Sequence, residues 1–324
     1  MTDVAALAGV SHQTVSRVLN NKGDVRPETR QRVLAAINEL GYRRNETARA
    51  LARRRSNIIG LLTTAHVNYG PAQTLFGVEL AAREAGYFVA VATLEEFAED
   101  ALTEALDMLL GLGVAGIVVI APVKEVAAGL SRVALNVPVV VVSSAWTAGD
   151  SKITCVGIDQ CHGAMLAVEH LLECGSKSIA HIAGPENWFD ATERERGWEE
   201  ALKRRNVEPG PLVRGDWTAE SGYASTKGLL SEGTPDAIFA ANDQMALGAM
   251  RALAEAGLPV PQKVRLVGFD NEPGTAFFST PLSTVQQDFD AVGRAAISTL
   301  TALVSGEDTQ DSQTTPNLII RQSS

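Results

Sequence analysis

Residues 11–20 (Ser11-His12-Gln13-Thr14-Val15-Ser16-Arg17-Val18-Leu19-Asn20) carry side chains suited to hydrogen bonding with nucleic acid. Arg17 presents a donor fork that matches the two acceptors of guanine, Gln13 a donor–acceptor pair that matches adenine, and His12 adds to the reading. Ser11, Thr14, Ser16 and Arg30 suit phosphate oxygens, contacts that position a protein on a duplex without specifying sequence. Reading bases in this way requires the groups on one face of one helix. Val15, Val18 and Leu19 repeat at helical spacing and must face inward. His12, Gln13, Ser16, Arg17 and Asn20 then point outward near the helix start, where a helix-turn-helix reaches base edges.

A second set of polar residues falls near the expected carboxyl ends of strands, where open α/β sheets bind ligands. Thr63, Thr64 and Asn68 follow one apolar run, and Ser143 and Ser144 end another. Further on come Arg194, Gly215-Asp216-Trp217, Asn242-Asp243-Gln244, Phe269-Asp270-Asn271 and Gln286-Gln287-Asp288-Phe289. Hydroxyls, amides, carboxylates and a guanidinium can bind sugar hydroxyls, while Trp217 or Phe289 covers an apolar sugar face. Asn242 and Asp243 have a structural alternative, capping the helix that follows, and capping is the role expected of Asp243.

The elements that must position these groups follow from periodicity. Val4, Ala5, Leu7 and Ala8 give a first helix its apolar face, with Thr2 expected to cap it. Gly9 permits the positive φ of a tight turn, and Ser11 stands at the next N-cap. Pro27 opens a third helix that Gly41 closes, with Leu34, Ile37 and Leu40 as its expected inner face. Residues 43–55 favour helix but have little apolar face beyond Ala48, Leu51 and Ala52; such a segment is marginal alone.

Beyond residue 57, apolar β-rich runs (58–64, 87–93, 117–121, 138–144, 178–183, 237–240, 264–269) alternate with amphipathic helices (73–85, 99–111, 160–173, 192–205, 219–231, 243–256). This predicts an α/β, doubly wound architecture, with too many strands for one compact sheet and hence two similar lobes. Residues 305–316 are expected to form a surface loop before a last strand at 318–320.

Charge divides the chain in the same place. Residues 1–55 hold 11 Lys and Arg against five Asp and Glu, a charge of +6, and the whole chain is −10, so the remainder is −16. A basic head suits phosphate contacts, and an acidic body repels them. No apolar run reaches the length of a membrane span, and no secretory leader opens the chain. Cys155, Cys161 and Cys174 form no Cys-x-x-Cys and read as reduced thiols of a cytoplasmic protein. The Gly111-x-Gly-x-x-Gly116 spelling follows a helix and opens a strand, the reverse of a dinucleotide site. No hydrolase, phosphate-loop or zinc signature is present, Glu95, Glu96, Glu99 and Asp100 read as a solvated helix start, and the five histidines lack metal spacing. No enzyme activity, cofactor or metal is expected.

Asp3-Val4-Ala5, Ala8-Gly9-Val10-Ser11, residues 14–20, Thr29-Arg30, Leu40-Gly41-Tyr42, Asn45 and Ala50-Leu51-Ala52 together resemble the bacterial lactose-repressor (LacI/GalR) family. The resemblance continues through residues 240–250, Gly215-Asp216-Trp217 and Gln287-Asp288-Phe289, a pattern similar to the β-galactoside-responsive branch. It implies a helix-turn-helix head (1–44), a hinge helix (45–56) and a ligand-binding, dimerising body (57–324). The body would have two periplasmic-binding-protein-like lobes (about 57–155 plus 288–315, and about 156–287 plus 316–324). It also implies DNA contacts from Thr2, Asn20, Asn45, Ala48 and Leu51, the last a minor-groove wedge at the dimer axis. In the cleft, Arg194, Asn242 and Asp270 would bind sugar hydroxyls, Trp217 would stack and Phe289 would line the pocket. Thr64, Asn68, Thr74 and Gln287 would complete the other side.

Two departures are visible: His12 stands where the family's namesake has tyrosine, and Ser143 where it has aspartate. The second removes a carboxylate from the implied sugar site. The chain starts two or three residues short of the usual head, and it stops at Ser324 without C-terminal leucine heptads, so a dimer is expected. The implied function is repression of transcription through pseudo-palindromic operator DNA, with a small sugar as effector. A purine or a partner protein would serve the same architecture. A transport receptor has no use for the basic head, and a carbohydrate enzyme needs a carboxylate pair or nucleophile.

Overall fold

The computed structural model describes residues 1–19, 23, 25–42, 56–64, 68–94, 99–120, 123–130, 136–145 and 153–324. The chain forms two compact units, Met1–Ser56 and Asn57–Ser324.

The first unit contains α1 (Thr2–Ala8), α2 (His12–Leu19) and α3 (Pro27–Glu39). Gly9 adopts φ 62° and ends α1 in the left-handed conformation that costs glycine least. The Ser11 hydroxyl accepts the Thr14 amide at 3.2 Å and so caps α2. Met1, not Thr2, is the N-cap of α1, because Thr2 is already the first helical residue and makes no capping bond. Val4, Ala5, Ala8, Val15, Val18, Val33 and Ala36 form the core, with Leu19 and Ile37 partly buried against it. Leu7, Leu34 and Leu40 are instead nearly half exposed. Three short helices enclose so narrow a core that β-branched and alanine positions fill it. Leu34 is turned one residue off the Val33–Ala36–Ile37 stripe, and Leu40 lies past the last helical turn as the C-cap of α3. The hinge segment, with Asn45, Ala48 and Leu51, and also Asn20, lies outside the described residues.

The second unit is built from two six-stranded sheets. The first contains β1 (Ile58–Thr64), β2 (Phe88–Leu94), β3 (Gly116–Ile120), β4 (Val139–Val142), β5 (Ile153–Ile158) and β11 (Ser312–Thr314), all parallel, in the order β11-β5-β4-β3-β1-β2. Its covering helices are α4 (Tyr69–Glu84), α5 (Glu99–Gly111), α6 (Lys124–Leu130) and α11 (Phe289–Ser305). The second sheet contains β6 (Ile179–Ala183), β7 (Leu212–Arg214), β8 (Ala237–Ala240), β9 (Arg265–Asp270), β10 (Ser283–Gln286) and β12 (Asn317–Ile319), in the order β12-β10-β9-β8-β6-β7. Only β12 is antiparallel. Helices α7 (Gln160–Glu173), α8 (Phe189–Arg204), α9 (Ala219–Glu232) and α10 (Asp243–Glu255) cover it. β1, β3, β6 and β8 are almost wholly apolar and buried, as parallel strands covered on both faces must be.

Within each lobe the first five strands run second-first-third-fourth-fifth, so the winding reverses between β1 and β3 and again between β6 and β8. Ligands bind beyond the carboxyl ends of strands at such a reversal. The chain passes between the sheets three times, between β5 and α7, between β10 and α11, and between β11 and β12. The region expected as a surface loop, 305–316, thus contains the edge strand β11. A Cβ on Gly293 of α11 would lie 2.2 Å from the Gly77 carbonyl carbon of α4, so these two helices meet through glycine backbone.

Candidate functional site

On α2 of the head, His12, Gln13 and Arg17 are exposed on the face opposite buried Val15 and Val18. Ser11 is exposed beside them, while Thr14, Ser16 and, on α3, Arg30 are half-buried. Thr2 is exposed on the first turn of α1. One helix therefore presents a donor fork and an amide four residues apart, the arrangement that bidentate base contacts require.

In the body, Arg194 occupies the centre of the cleft. It sits on α8, one turn inside the helix, and is buried. Its Nε donates to Gln160 Oε1 at 2.9 Å, Nη1 donates to the Ala241 carbonyl, and Nη2 lies 3.5 Å from Asp270 Oδ1. Its guanidinium carbon also stands 3.8 Å above the Phe269 ring and 5.7 Å from the Trp217 ring. Gln287 Nε2 donates to Asp270 Oδ1 at 2.6 Å, and Gln160 Nε2 donates to Gln287 Oε1 at 2.7 Å. Gln160 and Gln287 belong to two of the three crossings between lobes, so the Arg194–Asp270 pair is tied directly to those crossings. Asp270 (φ 107°) and Asn271 (φ 53°) are both in backbone conformations that non-glycine residues seldom adopt. Strain of this kind persists where the surroundings over-determine it, often at binding sites.

Asn242 is the N-cap of α10: its Oδ1 accepts the Met245 amide at 2.9 Å and its Nδ2 donates to the Trp217 carbonyl at 2.9 Å. Asp243, expected as the cap, instead points into the lobe. There its carboxylate accepts from the Thr284 hydroxyl at 2.6 Å and the Glu272 amide at 2.8 Å. The cap falls to Asn242 because it alone has the extended backbone of a residue entering a helix (φ −148°, ψ 171°). Trp217 (φ 77°) lays its indole over Gly184, where a Cβ would come within 2.2 Å of the ring, and meets Trp188 edge-on at 5.5 Å.

Two adjoining hollows result. One, about 330 Å³, is lined by Asn68, Arg194, Trp217, Asn242 and Asp270 among the expected residues. The other, about 430 Å³, is lined by Thr74, Ser143, Gln287 and Phe289. Thr64 ends β1 but lines neither. Trp188 and Asp190 line the cleft without having been expected. They open α8 from a segment whose neighbours bridge to the other lobe: the Lys124 amide donates to the Asn187 carbonyl at 3.1 Å, and Lys124 Nζ donates to the Glu186 carbonyl at 3.0 Å. The only hint in the sequence was an aromatic residue two positions before an acid at a helix start. Among the described residues no cluster of His, Cys, Asp and Glu is arranged to hold a metal.

Burial pushes Asp270 up to about 7, against the opposing pull of Arg194. Burial and the Asp270 charge likewise raise Asp243 well above the usual carboxylate range, and burial raises Glu272. The folded chain therefore holds protons that the unfolded chain has released. Their contribution to stability is present at low pH and is lost as pH rises through about 7. Urea midpoints are expected to fall from pH 5 to pH 8, with a shallower profile in Asp270→Asn. Equal slopes for the two proteins would show that Asp270 does not hold this proton.

Residues 1–45 match the family described as bacterial regulatory proteins, lacI family, and residues 168–324 match the periplasmic binding protein-like domain. The chain is 35% identical to the lactose operon repressor of Escherichia coli strain K12 over 322 residues, which is 99% of this chain and 89% of that protein. It is 33% identical to the transcriptional repressor PurR of Haemophilus influenzae over 330 residues, 99% and 97% of the two chains. The crystal structure of a lac repressor dimer bound to operator and the anti-inducer ONPF matches 99% of this chain and 97% of its own at a TM-score of 0.88 and 35% identity. A complex of the regulator CelR with cellobiose matches 99% and 98% at a TM-score of 0.75 and 31% identity. An exposed polar face on a three-helix head, two doubly wound lobes and 35% identity over nearly the whole chain to such a regulator place this chain in the lacI family of bacterial regulatory proteins.

Proposed function

We propose that the chain is a homodimeric repressor that reads pseudo-palindromic operator DNA through α2 and lets go when an uncharged, galactoside-like sugar fills the cleft. Repression is the common property of its relatives, the lactose operon repressor and the transcriptional repressor PurR. The observation that carries the sugar assignment is the Arg194–Asp270 pair set against the buried Trp217 ring. Hydrogen-bonding groups meet ring hydroxyls there, and an indole face meets the apolar side of a pyranose. The charged residues lining the two hollows are Asp190, Asp270 and Arg194, and Arg194 is already paired. That balance disfavours an anionic ligand such as a sugar phosphate.

Several features support the remaining roles. Phe76 and Leu80 on α4, Phe88 and Val91 on β2, Met108 on α5 and Leu112 just after it are exposed apolar residues of the first lobe that a second copy would bury. Gln13 and Arg17 would read base edges, and Ser11, Thr14, Ser16 and Arg30 would hold phosphates, with Thr2, His12, Asn20, Asn45, Ala48 and Leu51 completing the DNA surface. Among the described residues no helix is long and apolar enough to cross a membrane. Because coupling is reciprocal, an inducing sugar must bind the operator-bound state more weakly, typically by about 1–3 kcal/mol.

Thermal unfolding in the presence of galactosides, other sugars and purines tests the assignment. A ligand at 100 times its Kd should stabilise the chain by about 2.7 kcal/mol. The shift should vanish in Trp217→Ala, and in Gly184→Ala, whose new Cβ would drive the indole from its seat. A shift from purines alone, in line with the PurR relatives, would overturn the sugar assignment and leave the DNA-binding role standing.

A further inference from the structure

Inside the second lobe a row of rings crosses three neighbouring strands: His181 on β6, Phe239 on β8 and Phe269 on β9. We infer that His181 is a positioning residue for Arg194 and acts through this row; its bearing on effector binding rests on the sugar assignment above, and the placement of Arg194 does not. The imidazole lies 4.7 Å from the Phe239 ring at an interplanar angle of 8°, and Phe239 meets Phe269 at 6.4 Å and 53°. The Arg194 guanidinium then stands 3.8 Å over Phe269. Helix α8 closes the row at its other end, because Trp198, one turn after Arg194, lies 5.6 Å from the imidazole at 30°. The indole is itself fastened, its Nε1 donating to the Ile179 carbonyl at 3.2 Å. Two side chains of one helix thus grip both ends of a row borne by three strands. Close-packed interiors transmit a displacement and do not absorb it. Where the imidazole sits therefore fixes how far Arg194 reaches towards Asp270.

The chemistry of His181 suits a flat spacer and neither a polar contact nor a charge. The residue is fully buried. Its Nδ1 donates to the Phe239 carbonyl at 2.9 Å, which leaves Nε2 a bare acceptor, and Nε2 has no partner among the described residues. An unsatisfied buried atom is a cost to the fold, and one whose residue still stacks on both sides is kept for its ring. Burial pushes the imidazole down to about 4, against the opposing pull of its bond to Phe239. The charged groups whose fields reach it are both cations, Arg214 on β7 and Arg194 on α8. At neutral pH the ring is therefore uncharged and adds no repulsion beneath Arg194.

Carbon-13 NMR titration of the Asp270 carboxyl in the full chain, assigned with Asp270→Asn, reads the position of Arg194 without any ligand. The guanidinium is the largest of the pulls that draw that carboxyl down, so its retreat lets the midpoint rise. His181→Phe keeps the flat ring and loses the donor, while His181→Asn keeps a donor and loses the ring. The midpoint should stay within about 0.2 pH unit of the parent in His181→Phe and rise by about 0.5 or more in His181→Asn. Phe239→Leu breaks the row at its middle and should raise the midpoint likewise, which decides the matter should His181→Asn not fold. A midpoint unmoved in the row-breaking variants, or moved more by His181→Phe than by His181→Asn, would overturn the inference. Calorimetry with methyl β-D-galactopyranoside should give the same order, with affinity retained in His181→Phe and several-fold weaker in His181→Asn. Failure of that sugar to bind the parent chain would count against the sugar assignment and leave the Asp270 midpoints to judge the row.

Discussion

Arg17→Ala is expected to weaken binding to a specific operator by about 30-fold to 10⁴-fold. One bidentate arginine–guanine contact contributes about 1–3 kcal/mol of discrimination, and a dimer loses it twice, about 2–6 kcal/mol at roughly 1.4 kcal/mol per decade. The effect should be specific, because Arg17 stands on the exposed face of α2 and has no part in the head's core, which is carried by Val15, Val18 and the residues around them. Removing it should leave the head folded and cost much less on a scrambled duplex. Arg30→Ala gives the contrast. Loss of a phosphate contact lowers affinity for all sequences alike and reduces the salt slope by about one per contact. Anisotropy titrations on an operator recovered by selection from random DNA, against a scrambled control at several salt concentrations, separate the two. Equal loss on both duplexes for Arg17→Ala would remove it from base reading.

The second large effect is expected at Arg194. Its alanine variant should be destabilised by roughly 3–5 kcal/mol, the usual consequence of removing one partner from a buried pair. Gln160 Oε1 and the Ala241 carbonyl lose their donor, and Asp270 is left as a buried carboxylate with Gln287 as its remaining side-chain partner. Asp270 has an escape that most buried acids lack at neutral pH, since its pKa is already up at about 7. Protonation relieves the unpaired charge, so the deficit should be smaller at pH 6 than at pH 8, and Arg194→Ala/Asp270→Asn should regain part of the loss. Urea unfolding of the four proteins of that cycle at both pH values measures it. A deficit of under about 1 kcal/mol at pH 8 would mean that Arg194 is held for ligand contact alone. Since Gln160 and Gln287 join this pair to two crossings between the lobes, the same variants should also blunt the response of operator binding to effector.

Much of this was legible without a structure because the signals are local. Gly9, Ser11 and the spacing of Val15 and Val18 specify a turn, a cap and an inward face within ten residues. The alternation of apolar runs with amphipathic ones specifies a doubly wound body. The misreadings fall where the deciding contact is distant. Leu7, Leu34 and Leu40 are apolar yet half exposed, since the width of a three-helix core admits only some of the positions that helical periodicity offers. Residues 305–316 are polar enough to read as loop, and become partly strand only because β5 presents a free parallel edge to β11. Helix α11 is rich in Ala, Ser, Thr and Gly, and its glycine contact with α4 belongs to a partner more than two hundred residues away.

The sequence by itself determined that a basic helix-turn-helix precedes an acidic α/β body, because charge, caps and periodicity act between neighbours along the chain. It also determined which polar residues stand at strand ends. Only the tertiary structure decided that Asn242 and not Asp243 is the cap, and that Arg194 and Asp270 form one bonded set with Gln160 and Gln287 at two crossings between the lobes. It alone brought Trp188 and Asp190 into the cleft. Each of these depends on where two strand orders reverse and face one another, and on how deeply a carboxylate or an indole is then buried. Burial of that kind is a property of packed surfaces, and no window of sequence contains it.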